Sequence, residues 1–399
     1  MDNLEQEVEL SSDEREIRDT IHKFAEEVIR PAGVALDALA DPQDVVAKDS
    51  ILWDVFKRYD ELGLDVLSDP NSGLTPVQRA RLQSILGEER GWGDTGLAIS
   101  FSVSGFPRAL ATASGNPSLI ERYCAPGSIG CWAITEPDHG SDQINFTAMP
   151  GDGMAASPNC VARKDGDSWV ISGQKSAWVS NGTIATAAAL FCAVDEGDGI
   201  KGMGGFLAPL DGPNVRKGKP LNKLGQRALN QGEIYFEDLR IPADHYIVTP
   251  ELYALGGAAG LFQANAGMGA TFVGLAQAAF DAALAYTKER KQGGVPIIQH
   301  QSVRRRIFEM FRKVESARAL SRRTLISGAV NGPKLEYAIA SKVTSTQTAF
   351  EVASDALQLF GGAGTSKEYP IEKLFRDARV SMIEDGCNEV LGIAAAARL

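Results

Sequence analysis

The sequence predicts a mainly α-helical protein with a small β domain set in its middle. The parts are an N-terminal helical domain over residues 1–125, a β-barrel-like domain over 126–245 and a C-terminal four-helix bundle over 246–399. Three observations carry this expectation. Apolar residues recur at helical spacing near the start of the chain, and again from about residue 255 onward. Between these regions the period shortens to that of strands, with Gly, Asn and Asp clusters separating short apolar runs. A dense polar turn, WAITEPDHGSD at residues 132–142, marks the change of character, and sites favour such domain junctions.

The elements follow in order. Ser11-Ser12-Asp13-Glu14 has the pattern of a capping box, and Ile17, Ile21, Phe24 and Val28 follow at helical spacing until Pro31 stops the run. Leu52, Val55, Phe56 and Leu62 predict a second helix, residues 79–88 a third and 97–114 a mostly apolar fourth. Residues 161–172, VARKDGDSWVIS, read as a hairpin about Asp165-Gly166. Further short strands are expected at 187–194, 206–210 and 233–237, which together suggest a small barrel or sandwich. Residues 266–292, 301–327, 333–359 and a segment after about Pro370 supply four helices for a bundle. The small residues of the first of these suit burial along much of its length.

The composition, 44% hydrophobic and 23% charged, is that of a soluble globular chain. A net charge of −11 argues against nucleic acid or an anionic membrane as the main partner. The five cysteines show no CxxC spacing and an odd count, which points to free thiols in a reducing compartment. The four histidines are scattered, so no metal site is expected. The acidic N-terminal segment matches neither a signal nor a transit peptide, and no apolar run reaches the length of a membrane span, so a cytoplasmic protein is expected.

Four stretches are more polar or more specific than packing requires. In the first, Thr135 and Ser141 are hydroxyls flanking a turn whose backbone Glu136-Pro137 fixes; a plain inter-domain turn is the bland alternative. In the second, GQKSAWVSNG at 173–182, Trp178 offers a stacking wall for a planar ligand and Ser180 a hydrogen-bond partner, the alternative being a core tryptophan. In the third, RKQGGVPIIQHQ at 290–301, Arg290 suits a phosphate-bearing ligand, or else merely a solvated helix C-terminus. The fourth joins QLFGGAG at 358–364, where a ligand could approach the backbone, to IEDGCN at 383–388. The GGxG spacing is not that of a dinucleotide-binding fingerprint. Asp385 is either a general base held in a turn or a helix-capping residue.

Together and in this order, these stretches resemble the acyl-CoA dehydrogenase family of flavoproteins. ITEPDHGSD is similar to TEPxxGSD, GQKSAWVSNG to GxKxWITN with one extra residue, RKQGGVPIIQHQ to RxxFGxPIxxxQ, and QLFGGAG with EYPIEKLFRDAR to QxxGGxG…EYPxExxxRDA. The resemblance implies FAD as cofactor and an acyl-CoA as substrate, oxidised to the 2-enoyl thioester. An electron-transfer flavoprotein is implied as acceptor. By the same resemblance Thr135 would meet the flavin pyrimidine edge, Trp178 its ring system and Ser180 the region of N5. Ser141 would touch both FAD and the CoA arm. Arg290, Gln301, Gln358 and Gly362 would hold the FAD pyrophosphate and adenosine partly across a subunit interface, which implies a homodimer or homotetramer. Cys387 stands where a threonine usually meets FAD; Asn265 and Gly386 fall beside the substrate, and Asp385 would take its α-proton.

The chain also departs from the family pattern. Asp385 replaces a common glutamate, setting the carboxylate back by about 1.5 Å. The family's other location for the base falls near Ala264, which cannot serve, and Asn265 stands where an arginine is common. Gly293 replaces the phenylalanine of RxxFG. These departures keep two further readings open. One is an oxidase of a small non-CoA substrate, as in nitroalkane oxidase, a relative with an aspartate base. The arginine that partners that aspartate seven residues on is Gly392 here. The other is a paralogue that binds FAD or acyl-CoA without turnover.

Overall fold

Helix α1 (Ser12–Phe24) begins with a reciprocal cap: Ser11 accepts from the Glu14 N–H, and the Glu14 carboxylate accepts from the Ser11 N–H. The computed structural model describes residues 10–67, 69, 72–144 and 158–399, so the acidic segment 1–9 lies outside the described residues. The helical path does not stop at Pro31. A π-helical turn, Ala25–Ile29, carries it into α2 (Arg30–Ala38), with Pro31, which has no N–H to donate, in the first turn after the π segment. Helices α3 (Ile51–Glu61), α4 (Pro76–Gly93), α5 (Thr95–Ser114) and α6 (Pro117–Tyr123) complete the N-terminal part. Helix α4 is longer than its apolar pattern suggested because Thr75 and Gln78 form a second capping box upstream of it.

The middle of the chain forms one sheet. Its strands are β1 (Gly130–Ala133), β2 (Val161–Asp165), β3 (Ser168–Lys175), β4 (Ala187–Asp195), β5 (Ile200–Pro209), β6 (Val215–Lys217), β7 (Ile234–Pro242) and β8 (Tyr246–Val248). The order is β6-β7-β3-β2-β4-β5-β8, with β1 parallel to β4. The β2–β3 hairpin turns at Gly166, whose φ of 59° is one that glycine adopts without strain. Trp169 packs edge-on against Phe206 and Tyr246 inside the sheet's core. The sheet continues three residues past 245, because β8 pairs with β5.

The C-terminal part holds α7 (Pro250–Glu289), α8 (Gln301–Asn331) and α9 (Leu335–Phe360). The expected fourth helix is two helices, α10 (Ile371–Val380) and α11 (Asn388–Ala396), separated by the turn that carries Asp385. Contrary to the sequence reading, α7 does contain a window long and apolar enough to cross a membrane. Of that window, 72% is buried inside the fold, as in the core helix of a bundle.

Small residues let α4 and α7 approach closely. A Cβ on Gly91 would lie 1.9 Å from the Thr271 carbonyl oxygen, and one on Gly274 1.9 Å from that of Glu88. Buried charges tie the parts together. Glu88 accepts from Arg318 and Arg322 of α8 at 2.7–3.0 Å. In the RDA stretch, Arg376 grips Asp37 of α2 with two hydrogen bonds of 3.0 and 2.6 Å, and Asp377 accepts from Lys373, which also reaches Asp94. That motif is a structural clamp between the helical domains.

Candidate active site at the domain junction

The turn between α10 and α11 is held from three sides. Lys342 of α9, fully buried, donates to the Gly386 carbonyl and to Asn388 Oδ1, both at 2.8 Å. Asn265 of α7, also fully buried, donates to the Asp385 carbonyl at 3.3 Å. Ser141, from the polar stretch at the first domain boundary, accepts the Cys387 N–H at 3.1 Å. Asp385 has φ 50° and Gly386 φ 90°, so the chain reverses through left-handed backbone that aspartate tolerates better than most side chains. Among the described residues the N–H groups of Asp385 and Gly386 have no acceptor.

The Asp385 side chain is not a helix cap: the N-cap of α11 is Cys387, with no side-chain hydrogen bond. Asp385 lines a cavity of about 1030 Å³ enclosed by α3, α4, α5 and α7, with the loop 126–129 along one side. Burial pushes its carboxyl above the usual range, and the nearby Lys342 ammonium draws it back down. Lys342 in turn is pulled down to about 8 by its own burial, against the opposing charges of Glu384 and Asp385.

Glu384 points away from this cavity. It accepts from Gln226 Nε2 at 2.6 Å, and burial, with the Asp385 charge second, raises it to about 7. Beside it Lys223, lowered to about 8 by burial, donates to the Leu229 carbonyl at 2.7 Å and to Gln231 Oε1 at 3.0 Å. Gln231 Nε2 donates to the Trp178 carbonyl and to Ser180 Oγ, each at 3.1 Å. Two polar clusters, Glu384–Gln226 and Lys223–Gln231–Ser180, therefore lie near each other and are coupled electrostatically through Lys223 and Glu384.

Trp178 is 62% exposed, which removes the core-tryptophan reading. Thr135 Oγ1 and Ser176 Oγ lie 3.1 Å apart near its base, and Trp178 N–H donates to Ser176 Oγ at 3.4 Å. Glu136 is structural. Its carboxylate is fully buried, receives Lys175 Nζ at 2.7 Å and the Asn159 N–H at 2.6 Å, and so locks the turn to β3. An exposed indole at a domain junction, flanked by hydroxyls with spare hydrogen-bonding capacity, fits a flat heteroaromatic group such as a flavin.

The other predicted residues gather elsewhere. Arg290 follows the end of α7, while Gln358 and Gly362 flank the end of α9. Tyr286 stacks on Phe360 at 4.1 Å, bringing these two helix ends together. Arg290, Gln301, Gln358 and Gly362 are all exposed. Asn265 and Arg290 are 25 positions apart on one helix, about 37 Å at 1.5 Å per residue. One chain does not bring the two groups together.

Asp385 at a ligand-sized cavity between the two helical parts, together with an exposed indole following β3 of the small β domain, defines a ligand-binding site with a candidate base. Comparison with known proteins narrows the class. Residues 131–239 match the family description "Acyl-CoA dehydrogenase, middle domain" and residues 259–399 "Acyl-CoA dehydrogenase, C-terminal domain". The mitochondrial short-chain specific acyl-CoA dehydrogenase of Bos taurus is 31% identical over 399 residues, covering 99% of this chain and 92% of that one. A solved structure described as "Electron transferring flavoprotein of Acidaminococcus fermentans: Towards a mechanism of flavin-based electron bifurcation" is 25% identical. It has a TM-score of 0.85 and covers 100% of this chain and 99% of its own. Glutaryl-CoA dehydrogenase from Mycobacterium smegmatis in complex with FADH2 shares the fold at 22% identity and TM-score 0.82, over 98% and 95% of the two chains. The chain belongs to the acyl-CoA dehydrogenase family.

Sequence reasoning missed Lys342, Lys223, Gln226 and Gln231. Lys342 had one legible signal: a lone cation within the apolar run YAIASKV. The loop residues had none, because their roles depend on the fold of 219–231 against the bundle.

Proposed function

We propose that the protein α,β-dehydrogenates an acyl-CoA thioester, with Asp385 removing the α-proton. The observation that carries this reading is the position of Asp385: it lines the cavity while, among the described residues, the N–H groups of its own turn lack acceptors. Those N–H groups are suited to a thioester carbonyl, whose polarisation acidifies the α-carbon. Asn265, Lys342 and Ser141 fix the turn, so the carboxylate is oriented before substrate arrives.

Bound FAD would accept the β-hydrogen as hydride. Thr135, Trp178 and Ser180 would hold its ring end, with Trp178 as the flat wall and Ser180 Oγ free to donate because it already accepts from Gln231. Arg290, Gln301, Gln358 and Gly362 are suited to the pyrophosphate and adenosine of an FAD seated on a second copy of the chain. A homodimer or homotetramer is therefore part of the proposal, with an electron-transfer flavoprotein as acceptor. The cavity, at about 1030 Å³, lies at the large end for a ligand site and favours a bulky thioester over a small nitroalkane.

Anaerobic mixing of the flavin-loaded protein with a panel of acyl-CoAs tests the reaction. Bleaching of the oxidised flavin is expected with at least one thioester. Failure with all of them, alongside O₂-dependent turnover of a nitroalkane, refutes it. Asp385→Asn should keep the flavin and lose α-proton exchange.

A further inference from the structure

The same cavity holds a cation that the dehydrogenation does not use. Arg90 lies in the last turn of α4 and lines the cavity together with Asp385. Its Nη1 donates to Tyr59 Oη at 2.9 Å, while its Nε is buried without a partner. Among the described residues no carboxylate pairs with it. The Arg90 side chain is half-buried and its guanidinium also faces the Tyr59 ring at 5.9 Å, yet its shielded Nε lacks an acceptor, and its donors match a carboxylate in a planar fork. The two buried arginines among the described residues, Arg318 and Arg322, share Glu88.

Tyr59 strengthens the case. Its ring stacks flat on Phe101, with centroids 4.0 Å apart and planes 2° apart, which fixes the hydroxyl. That oxygen already accepts from Arg90, so its proton is left to donate. The two side chains together offer only donors, a set suited to an acceptor-only group. Exposed Lys57, Asp60 and Glu61 also line the cavity, with Lys57 and Glu61 paired at 3.9 Å.

The position along the cavity sets the kind of ligand. Gly87 and Gly91, on either side of Arg90, pack on Ala270 and Thr271 of α7. The base turn is held by Asn265, six positions earlier on α7, about 9 Å along its axis. The rest of the lining is mostly apolar, with Ile99, Val103, Phe106 and Met268, and also includes Ser102, Gln263, Thr271 and Arg108. A mostly apolar channel with a carboxylate base at one end and an unpaired guanidinium beyond its other end fits a chain that is apolar in the middle and anionic at its tip.

We propose that Arg90, with Tyr59, binds a carboxylate at the distal end of the acyl group, so that the substrate class is the CoA monothioester of a dicarboxylic acid. This rests on the acyl-CoA dehydrogenase reading above. Two measurements separate the failure of one from that of the other. The first compares kcat/KM for octanoyl-CoA and suberyl-CoA, which have equal carbon number. The second is calorimetric binding of their thioether analogues, which need no turnover.

A preference for the suberyl compound of about 10- to 100-fold is expected in both, the range of a charge-assisted hydrogen bond. Arg90→Met should abolish that preference, lowering kcat/KM for suberyl-CoA far more than for octanoyl-CoA, and Arg90→Lys should retain part of it. If Arg90→Met does not fold, Tyr59→Phe removes only the hydroxyl and should lower the preference about threefold or more. Equal binding of the two analogues by the wild type, or an equal loss for both compounds in Arg90→Met, overturns the assignment. Selective binding of the dicarboxylic analogue without flavin bleaching by any thioester upholds the Arg90 site and overturns the dehydrogenase reading.

Discussion

Replacing Lys342 with methionine should move the acid limb of the reaction upward in pH. As the proposed base, Asp385 would accept a proton only when ionised, so kcat/KM is expected to rise as pH climbs through its folded-state pKa, which burial raises and Lys342 lowers. Lys342 itself titrates at about 8, so it is charged throughout the acid limb. Its Nζ lies 2.8 Å from the carbonyl of Gly386, the residue next to Asp385. Two unit charges 4 Å apart at an effective dielectric constant of about 20 attract by about 4 kcal/mol. Because Nζ contacts the neighbouring backbone and not the carboxylate, about half of that, ~2 kcal/mol, is the working figure. Losing that attraction leaves burial unopposed, so the acid limb moves upward. The methionine retains most of the buried stem, so the charge is the main change. The assay is the pH dependence of kcat/KM for flavin reduction. An acid limb that stays in place while overall activity falls would show that Lys342 only supports the turn. A second signature lies in stability. The lysine is depressed from 10.5 to about 8 in the fold, so between those values the unfolded chain binds more protons and stability rises with pH. The rise, about 3 kcal/mol, should be absent from the variant.

Three further outcomes are expected. Lys175→Met strands the buried Glu136 carboxylate and should cost about 3–5 kcal/mol, read by urea denaturation; a loss below about 1 kcal/mol would mean that water reaches that pocket. Gly274→Ala forces a Cβ against the Glu88 carbonyl and should destabilise by at least about 1–3 kcal/mol, with a lowered Tm as readout; an unchanged Tm would show that α4 and α7 can separate freely. Trp178→Ala should weaken FAD binding or shift the flavin absorption bands, whereas an unaltered spectrum and affinity would place the indole outside the cofactor site.

Much of the fold was legible in local chemistry. The capping box at Ser11, the hairpin at Gly166 and the apolar small-residue run of α7 each encode their element through contacts a few residues apart. Pro31 misled because a π-turn upstream absorbed it, and the segment after Pro370 was counted as one helix although the turn-like break at Asp385-Gly386 divides it in two. Of the proposed site, Thr135, Ser141, Trp178, Asp385 and Cys387 were singled out from sequence. What they touch was not.

By itself, then, the chain determined its element order, its family and the residue types at the junction, since short-range spacing and motif order carry that information. Only the tertiary structure decided which groups share a charge. Lys342 lies 43 positions before Asp385, and Arg90 lies 295 before it, yet all three groups belong to one region of the fold. Their pairing, or lack of it, depends on helices that meet only after the core has closed, because burial is what turns an ordinary lysine or arginine into a group that must find a partner.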